Sequence, residues 1–292
     1  MNIKHKININ LVAEIGCNHQ GKLRTTFNML DTLADYCKIK YVKFQKRSPI
    51  DLLTKKEYNS PHPNPINSFG KTYGEHREKL EFDIPTHKKI INYCKKKNLT
   101  YCTSVWDLPS AKEIIKINCS NIKIPSACNN NLDLLNFIFK NFKKNIHISL
   151  GMTTKVEENN LFKIIKKFKK PKKNLILYAC TSAYPAKDKD VNLLEIQRLK
   201  KKFSRYAQIG FSGHHQGISL DIAAVALGAQ WVERHFTLDR TMKGTDHAAS
   251  LEPDGMRKLN RDIEVFKSAY NYKNREILKS EESQRKKLKY KK

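Results

Sequence analysis

Eight short apolar runs, rich in β-branched and aromatic residues, alternate along this chain with longer amphipathic, lysine-rich stretches. The runs lie near residues 9–15, 40–45, 99–105, 120–125, 146–150, 175–180, 208–212 and 230–235. Strands that alternate with helical patterns are typical of parallel sheets, and eight such units close into a barrel. The sequence therefore predicts an α/β fold, a single-domain (β/α)8 TIM barrel over residues 1–270.

Two segments depart from this simple alternation. The connection over residues 46–80 is unusually long, and its four prolines exclude a continuous helix there. Long connections of this kind commonly carry function. Beyond Pro253 the pattern predicts an amphipathic helix to about Tyr270, followed by a basic, helical tail over 271–292 that is too short to form a second domain.

The composition limits the compartment and the class of partner. No apolar run of about 18 residues is present, and the first ten residues lack the pattern of a signal peptide. We therefore expect a cytoplasmic protein that does not bind membranes. The 7 cysteines include no Cys-x-x-Cys pair and several lie in apolar runs, which indicates reduced, mostly buried thiols.

The formal net charge of +28 suggests nucleic-acid binding, but the distribution of charge does not. Lysines cluster where helices are predicted to end, a position that suits cations, and in the C-terminal tail. No basic groove with interleaved aromatic residues and no nucleic-acid-binding motif is present. We predict no specific nucleic-acid partner, whereas an anionic small substrate fits the charge.

Alternating side-chain direction places two lysines inside the predicted barrel. In the second strand Val42 and Phe44 suit the helix layer, so Lys43 points inward with Tyr41 and Gln45. The same alternation leaves Lys123 inside the fourth strand, because Ile122 and Ile124 face outward. Buried ammonium groups are unfavourable without a compensating anion, so both lysines are candidate anion ligands. Alternatively they reach the rim, or pair with Glu14 and Glu233, which also point inward.

Two histidines stand at the ends of neighbouring predicted strands. His214 follows the seventh strand and His235 ends the eighth. Because parallel neighbours lie about 4.8 Å apart, both imidazoles can reach one cation at the barrel mouth. A structural role remains the alternative for either histidine alone, and His215 must point away from the mouth. His19, in the loop after the first strand, contacts substrate or stabilises a turn.

Hydroxyl groups and one carboxylate complete the predicted mouth. Ser149, Ser182 and Ser212 face it with Tyr184, and hydroxyls there can bind phosphate or carboxylate oxygens. Asp246 follows the eighth strand and is placed to orient a polyol or a ligand. No phosphate-binding glycine loop is present, so nucleotide binding is not expected.

Motifs along almost the whole chain resemble those of the sialic acid synthase family, the synthases of N-acetylneuraminate and related nonulosonic acids. They are AEIGCNH at 13–19, VKFQ at 42–45, KIPS at 123–126, LGM at 150–152, CTSAYP at 180–185, FSGH at 211–214, AAVALGA at 223–229, ERHFT at 233–237 and GTDHAASLEP at 244–253. Each motif is modest alone, but the ordered set is specific.

The resemblance implies metal-dependent condensation of phosphoenolpyruvate with an N-acylated hexosamine, such as N-acetylmannosamine, to give a nonulosonic acid and phosphate. It implies manganese or magnesium on His214 and His235, with Glu14 as the candidate for proton transfer. The positions that match phosphoenolpyruvate contacts are Lys43, Thr103, Lys123, Ser126, Ser149, Ser182 and Ser212. The sugar-side matches, besides Glu14, are Gln45, Tyr184 and Asp246.

Three departures from the family pattern affect these expectations. Gly213 stands where an aspartate is common, and Ser182 replaces a longer, asparagine-like side chain. Many members also carry a C-terminal antifreeze-like domain that reaches over a partner subunit, and we expect this chain to lack one. The sugar is then recognised by the barrel mouth and the 46–80 connection, where Asn67, Ser68, Tyr73 and Arg77 are candidates, or by a separate lid protein. A homodimer is the family expectation.

Two other functions remain open at this point. One is a related synthase that condenses phosphoenolpyruvate with a phosphorylated sugar. The other is a catalytically inactive, basic binding protein built on a barrel. A binuclear metal hydrolase is less favoured, because few further histidines or aspartates stand at predicted strand ends.

Overall fold

Eight parallel strands close into a barrel in chain order, with each strand hydrogen-bonded to the next and the eighth to the first. The computed structural model describes residues 7–273 and 276–290. The strands are β1 (Asn10–Glu14), β2 (Tyr41–Lys46), β3 (Thr100–Val105), β4 (Asn121–Ile124), β5 (Asn145–Ser149), β6 (Leu175–Cys180), β7 (Gln208–Gly213) and β8 (Trp231–His235). The predicted (β/α)8 barrel is confirmed.

Helices separate the strands and form the outer layer. They are α1 (Leu23–Asp31), α2 (Pro49–Leu52), α3 (Lys55–Asn59), α4 (Tyr73–Lys79), α5 (Ile84–Lys96), α6 (Leu108–Lys116), α7 (Leu132–Asn141), α8 (Lys155–Phe168), α9 (Glu195–Phe203), α10 (Ser219–Ala226), α11 (Pro253–Ala269) and α12 (Glu282–Leu288). Several begin at a side-chain cap; Asp83, for example, accepts a hydrogen bond from the backbone of Thr86 at the start of α5. Lysines fill the last turns of α5, α8 and α9, as expected for cations at helix C-termini.

Side-chain alternation in the strands follows the predicted directions. Val42, Phe44, Ile122 and Ile124 are fully buried in the core between strands and helices. A second, smaller cluster fills the barrel interior with Val12, Ile176, Tyr178 and Trp231, against which Tyr41 packs. These two cores fix which side chains of each strand face the mouth of the barrel.

The β2–α5 connection is a series of short elements rather than one helix. It contains α2, α3, a 3-10 turn over Pro65–Asn67, and α4. The backbone amide of Tyr73 donates to the carbonyl of Ser60 over 2.8 Å, so the segment folds back on itself. This connection stands beyond the carboxyl end of β2 and forms one wall of the barrel mouth.

A buried ion pair ties β8 to α10, and hydrogen bonds from the same arginine hold the loop between β7 and α10. Arg234 and Asp221 are both fully buried and in direct contact. The Arg234 guanidinium also donates to the carbonyls of His215 (2.6 Å) and Gly217 (2.9 Å). His215 therefore points into the helix layer, as predicted, and the loop that carries His214 is held in place.

The C-terminal region contains the predicted helices. Helix α11 ends at Ala269, and α12 lies within the predicted tail. Residues 274–275 and 291–292 of that tail lie outside the described residues. In the part of the chain that the structure describes, no helix is long and apolar enough to cross a membrane.

Buried neutral histidines should make the fold sensitive to acid. His147 accepts from the Tyr178 hydroxyl and donates to Asn121, and burial lowers its pKa to about 3. The unfolded chain has an ordinary histidine pKa near 6.5, so it takes up a proton that the native state refuses, and stability falls as the pH drops below 6.5. Between pH 7 and pH 5, the free energy of unfolding should therefore fall by about 2 kcal/mol less in His147→Gln than in the wild type.

Urea denaturation at pH 7, 6 and 5 measures this difference in slope, whatever the absolute stability of the variant. Identical slopes for the variant and the wild type would mean that the pKa of His147 is the same in the native and unfolded states.

Candidate active site

The carboxyl ends of the strands surround a pocket of about 330 Å³. Most of the side chains that the sequence predicts as site residues line it together. They are Glu14, Lys43, Gln45, Lys123, Ser126, Ser149, Ser182, Tyr184, Ser212, His214, His235 and Asp246. Residues separated by more than two hundred positions thus share one cavity at the end of the barrel where such enzymes keep their chemistry.

Thr103 is the exception among the predicted site residues. It is fully buried, does not line the pocket, and pairs in register with Phe44 and Ile122, which face the helix layer. The expectation that Thr103 contacts phosphoenolpyruvate therefore does not fit its position. The next residue, Ser104, has the inward direction and pairs in register with Gln45 and Lys123.

Four buried charges occupy the inner end of the pocket. Lys43 contacts Glu14 directly and lies 3.6 Å from Glu233, while Lys123 lies 2.6 Å from the same Glu233 oxygen. The Ser212 hydroxyl donates to that oxygen over 3.3 Å. The lysines therefore pair with the two inward carboxylates, which is the alternative arrangement that the sequence left open.

This arrangement shifts the pKa values of the buried groups. Burial lowers the pKa of Lys43 to about 8, although the carboxylate of Glu233 opposes the shift. Burial alone would raise the pKa of Glu233, but the charges of Lys123 and Lys43 outweigh it and hold the pKa well below the usual range. Lys123 also lies 4.2 Å from the ring centroid of Tyr178, a second favourable contact for its charge.

Serine hydroxyls form the wall next to these lysines. The Gly151 amide donates to Ser126 over 3.1 Å, and a methyl group at Gly151 would approach the same hydroxyl to 2.7 Å. The Asn129 side chain donates to the carbonyls of Ser149 (2.9 Å) and Gly151 (3.3 Å). The loop after β5 is therefore fixed so that its polar groups face the pocket. Ser182 lies just beyond the end of β6, in a loop, and also lines the pocket, as alternation continued from the strand predicts.

The two predicted metal histidines lie side by side, with ring centroids 5.3 Å apart. The His214 Nδ1–H donates to the carbonyl of Thr181 over 2.8 Å, which leaves the lone pair on Nε2. Burial lowers the pKa of His235, so its imidazole is neutral near pH 7, and its Nδ1 is buried without a hydrogen bond. The Asp246 carboxylate lies 3.8 Å from that Nδ1.

These features fit a divalent cation held by two imidazoles. Neutral histidines oriented by a hydrogen bond through the other ring nitrogen are common metal ligands. Within residues 7–273 and 276–290, no group of three or more His, Cys, Asp or Glu side chains has the geometry of a metal site. A cation here would complete its coordination with water or substrate.

Position 213 affects this site less directly than the sequence suggested. A side chain there would meet Phe211 at 2.8 Å and Arg234 at 3.1 Å, so it would point toward the helix layer and away from the pocket. An aspartate at 213 would therefore reach Arg234, whose carboxylate partner in this chain is Asp221. An aspartate at this position would therefore not place a carboxylate beside His214 in the pocket.

The outer wall comes from the β2–α5 connection. Arg47 pairs with Glu81 over 2.6 Å, and Gln45, in the amide orientation that satisfies its neighbours, accepts from the Arg47 guanidinium. Tyr73 and Arg77 line the pocket, as the sequence suggested. Asn67 and Ser68 do not, because Asn67 accepts from the Gly244 amide and Ser68 bonds to Gly70.

Several lining residues were missed in the sequence. Arg47 has the same parity as Lys43 and Gln45, so continuing the alternation past β2 would have found it. His62 and His76 lie in short elements without periodicity, and no signal in the sequence marked them. His19 is not a pocket residue; it accepts from the Gly21 amide and stacks on Phe82, so it stabilises the turn.

Comparisons with known proteins agree with this arrangement. The NeuB family model matches residues 30–275. N-acetylneuraminate-9-phosphate synthase of Homo sapiens is 35% identical over 271 residues, which are 93% of this chain and 74% of the human protein. N,N'-diacetyllegionaminic acid synthase of Campylobacter jejuni is 34% identical over 272 residues, 93% of this chain and 80% of that protein.

A solved structure shares the architecture. The crystal structure of the N-acetylneuraminic acid synthetase of Leptospira borgpetersenii, in complex with citrate, superposes with a TM-score of 0.80 at 29% sequence identity. The match covers 98% of this chain and 94% of that one. The two chains therefore share this architecture over nearly all of the residues compared.

The charge cluster predicts strong coupling between Glu233 and Lys123. Glu233→Gln leaves a buried ammonium group without its counter-ion, so we expect the free energy of unfolding to fall by about 3–5 kcal/mol. Adding Lys123→Met removes the uncompensated charge, and the double variant should recover about 1–3 kcal/mol relative to the sum of the single effects.

Urea denaturation at pH 7 measures the three variants. Glu195→Ala, which breaks an exposed pair with Arg198, is the control and should change stability by about 0–1 kcal/mol. Strictly additive effects of the Glu233 and Lys123 substitutions would contradict the coupling.

Proposed function

Because this chain belongs to the NeuB family and is an enzyme of the sialic acid synthase type, we propose that it condenses phosphoenolpyruvate with an N-acylated hexosamine. The products are a nonulosonic acid and inorganic phosphate. The observation that supports this most is that one pocket holds two buried ammonium groups, several serine hydroxyls and two adjacent imidazoles.

Phosphoenolpyruvate binds at the inner end of the pocket in this proposal. Lys43 and Lys123 attract its carboxylate and phosphate, and the hydroxyls of Ser126, Ser149, Ser182 and Ser212 donate hydrogen bonds to their oxygens. Because Glu14 and Glu233 already neutralise the lysines, the pocket carries little excess charge before substrate enters. Fixed donors that need no reorganisation then stabilise the charge that moves onto the leaving phosphate.

The sugar binds in its open-chain form with its aldehyde toward His214 and His235. These imidazoles would hold manganese or magnesium, which, when bound, supplies a positive charge that polarises the aldehyde oxygen. Gln45, Tyr184 and Asp246 contact the sugar hydroxyls and acyl group. The Tyr184 ring packs 4.3 Å from the His214 ring and meets the His235 ring edge-on, so it also fixes the two imidazoles.

The reaction balances with one water molecule. C3 of phosphoenolpyruvate forms a bond to the aldehyde carbon, and water adds to C2. The C2–O bond to phosphate then breaks, and the oxygen of the water remains as the keto oxygen. The two protons of the water finish on the new hydroxyl and on the released phosphate.

Glu14 is the proposed group for moving these protons. It is buried at the end of β1, lines the pocket and contacts Lys43. A carboxylate in this position can take a proton from the attacking water and return it to the new alkoxide or the leaving phosphate. The Lys43 ammonium stabilises its ionised form between these steps.

Substitution of a metal-site histidine tests the central role of the imidazoles. We expect His235→Ala to lower kcat by at least about 100-fold, because the aldehyde oxygen loses its electrostatic stabilisation. Phosphate release with phosphoenolpyruvate and a panel of N-acylhexosamines measures turnover. His87→Gln replaces a similarly buried histidine that contacts Tyr101 outside the pocket, and it should retain wild-type kcat. Wild-type turnover by His235→Ala would contradict the assignment.

Removal of divalent cations tests the same site without a substitution. Dialysis against a chelator should abolish phosphate release, and added manganese or magnesium should restore it. His214→Ala and His235→Ala should each weaken manganese binding, measured by calorimetry, by more than about 10-fold. Full activity after exhaustive chelation would rule out a metal-dependent reaction.

A further inference from the structure

The two histidines proposed to hold a metal stand where the strand pairing of β7 and β8 ends. The last pair in the register of these two strands is Gly213 with Arg234. His214 is therefore outside this ladder, although its ring has to lie beside that of His235 for the two to share a cation. The position of one imidazole relative to the other depends on contacts beyond the strand hydrogen bonds.

Arg234 is placed to make one of these contacts. It precedes His235 on β8, but its side chain points the opposite way and is fully buried behind the pocket. Its guanidinium donates to the carbonyl of His215 over 2.6 Å, and His215 directly follows His214. It also donates to the carbonyl of Gly217 over 2.9 Å. One side chain thus joins the residue before one histidine to the peptide after the other.

Asp221 and the ring of His215 hold this guanidinium in place. The carboxylate of Asp221, in the first turn of α10, contacts Arg234 directly, and both side chains are fully buried. The Nε2 of His215 lies 3.2 Å from the same guanidinium and accepts a hydrogen bond, because arginine can only donate. A buried guanidinium with a carboxylate, a ring nitrogen and backbone carbonyls as partners has few alternative positions.

The opposite side of His214 is held by the loop after β6. Its Nδ1 bonds to the carbonyl of Thr181, and its own carbonyl accepts from the Ala186 amide over 3.0 Å. These contacts fix the residue relative to β6, whereas Arg234 fixes the adjoining peptide relative to β8. His235 belongs to β8 itself. The distance between the two imidazoles therefore depends on Arg234.

We propose that Arg234, held by Asp221, is a positioning residue for the metal site. From behind the pocket it sets the spacing between the imidazoles of His214 and His235. This inference rests on the proposed function, because it needs both imidazoles to bind one divalent cation. Loss of Arg234 moves the peptide next to His214 and weakens cation binding. The loop that carries Ser149 is unaffected, because Asn129 supports it separately.

Removal of both partners tests this role without leaving a buried charge unpaired. Arg234→Met combined with Asp221→Asn should weaken manganese binding by about 10- to 100-fold, the range for groups that orient metal ligands. Calorimetry with manganese alone measures the Kd, so the readout does not depend on turnover. The KM for phosphoenolpyruvate at saturating manganese should change by no more than about 2-fold, because Arg234 does not support the anion contacts.

Two comparisons separate positioning from stability. Glu158→Gln combined with Arg198→Met removes another arginine–carboxylate pair, which joins α8 to α9 outside the pocket. This control should keep the wild-type Kd for manganese. Arg234→Lys retains a charge opposite Asp221 but cannot span both backbone carbonyls, so it should weaken manganese binding by at least about 3-fold.

Circular dichroism at the assay temperature identifies the folded variants. An unchanged manganese Kd in the folded Arg234–Asp221 double variant, or an equal loss in the Glu158–Arg198 control, overturns the positioning role and leaves the synthase function intact. Should the first double variant not fold, Arg234→Lys decides alone, and a wild-type Kd overturns the role. A wild-type protein that binds no manganese contradicts the proposed metal site itself, and this inference with it.

Discussion

The mutual neutralisation of Lys43, Lys123, Glu14 and Glu233 is the interaction on which the interior of this barrel depends. Four charged groups lie within a cavity that is otherwise walled by strands, and each carboxylate contacts at least one ammonium group. A lysine alone in this place would lose its proton or drive the strand ends apart. The paired arrangement keeps the four charges ionised inside the barrel.

The surrounding structure divides into a part that is rigidly fixed and a part built from short elements. At the inner end, backbone hydrogen bonds of the barrel, the Arg234–Asp221 pair and the Asn129 side chain fix the strand ends and loops that carry the reacting groups. At the outer end, the β2–α5 connection supplies side chains from short helices that pack on one another. The reacting groups proposed above lie on the first part, whereas the second part is the kind of loop region in which binding residues commonly vary.

The imidazoles of His214 and His235 link these two parts. Both rings line the pocket; the Nδ1 of His214 is held by the carbonyl of Thr181, and the Nδ1 of His235 has no hydrogen bond. Their position follows from strand order, because β7 and β8 are neighbours and each histidine stands at a carboxyl end. The barrel thereby brings the two imidazoles into the same pocket as the buried lysines.

The sequence by itself determined the barrel, its eight strands and the inward direction of Lys43 and Lys123, because apolar alternation in a strand fixes which side chains face the helices. It also indicated the pairing of His214 with His235 through neighbouring strands. Only the tertiary structure decided that Ser104 rather than Thr103 faces inward, and that His62 and His76 reach the pocket. Short elements are too brief to show a hydrophobic periodicity in the sequence. Contacts between distant segments depend on how the chain closes around the barrel.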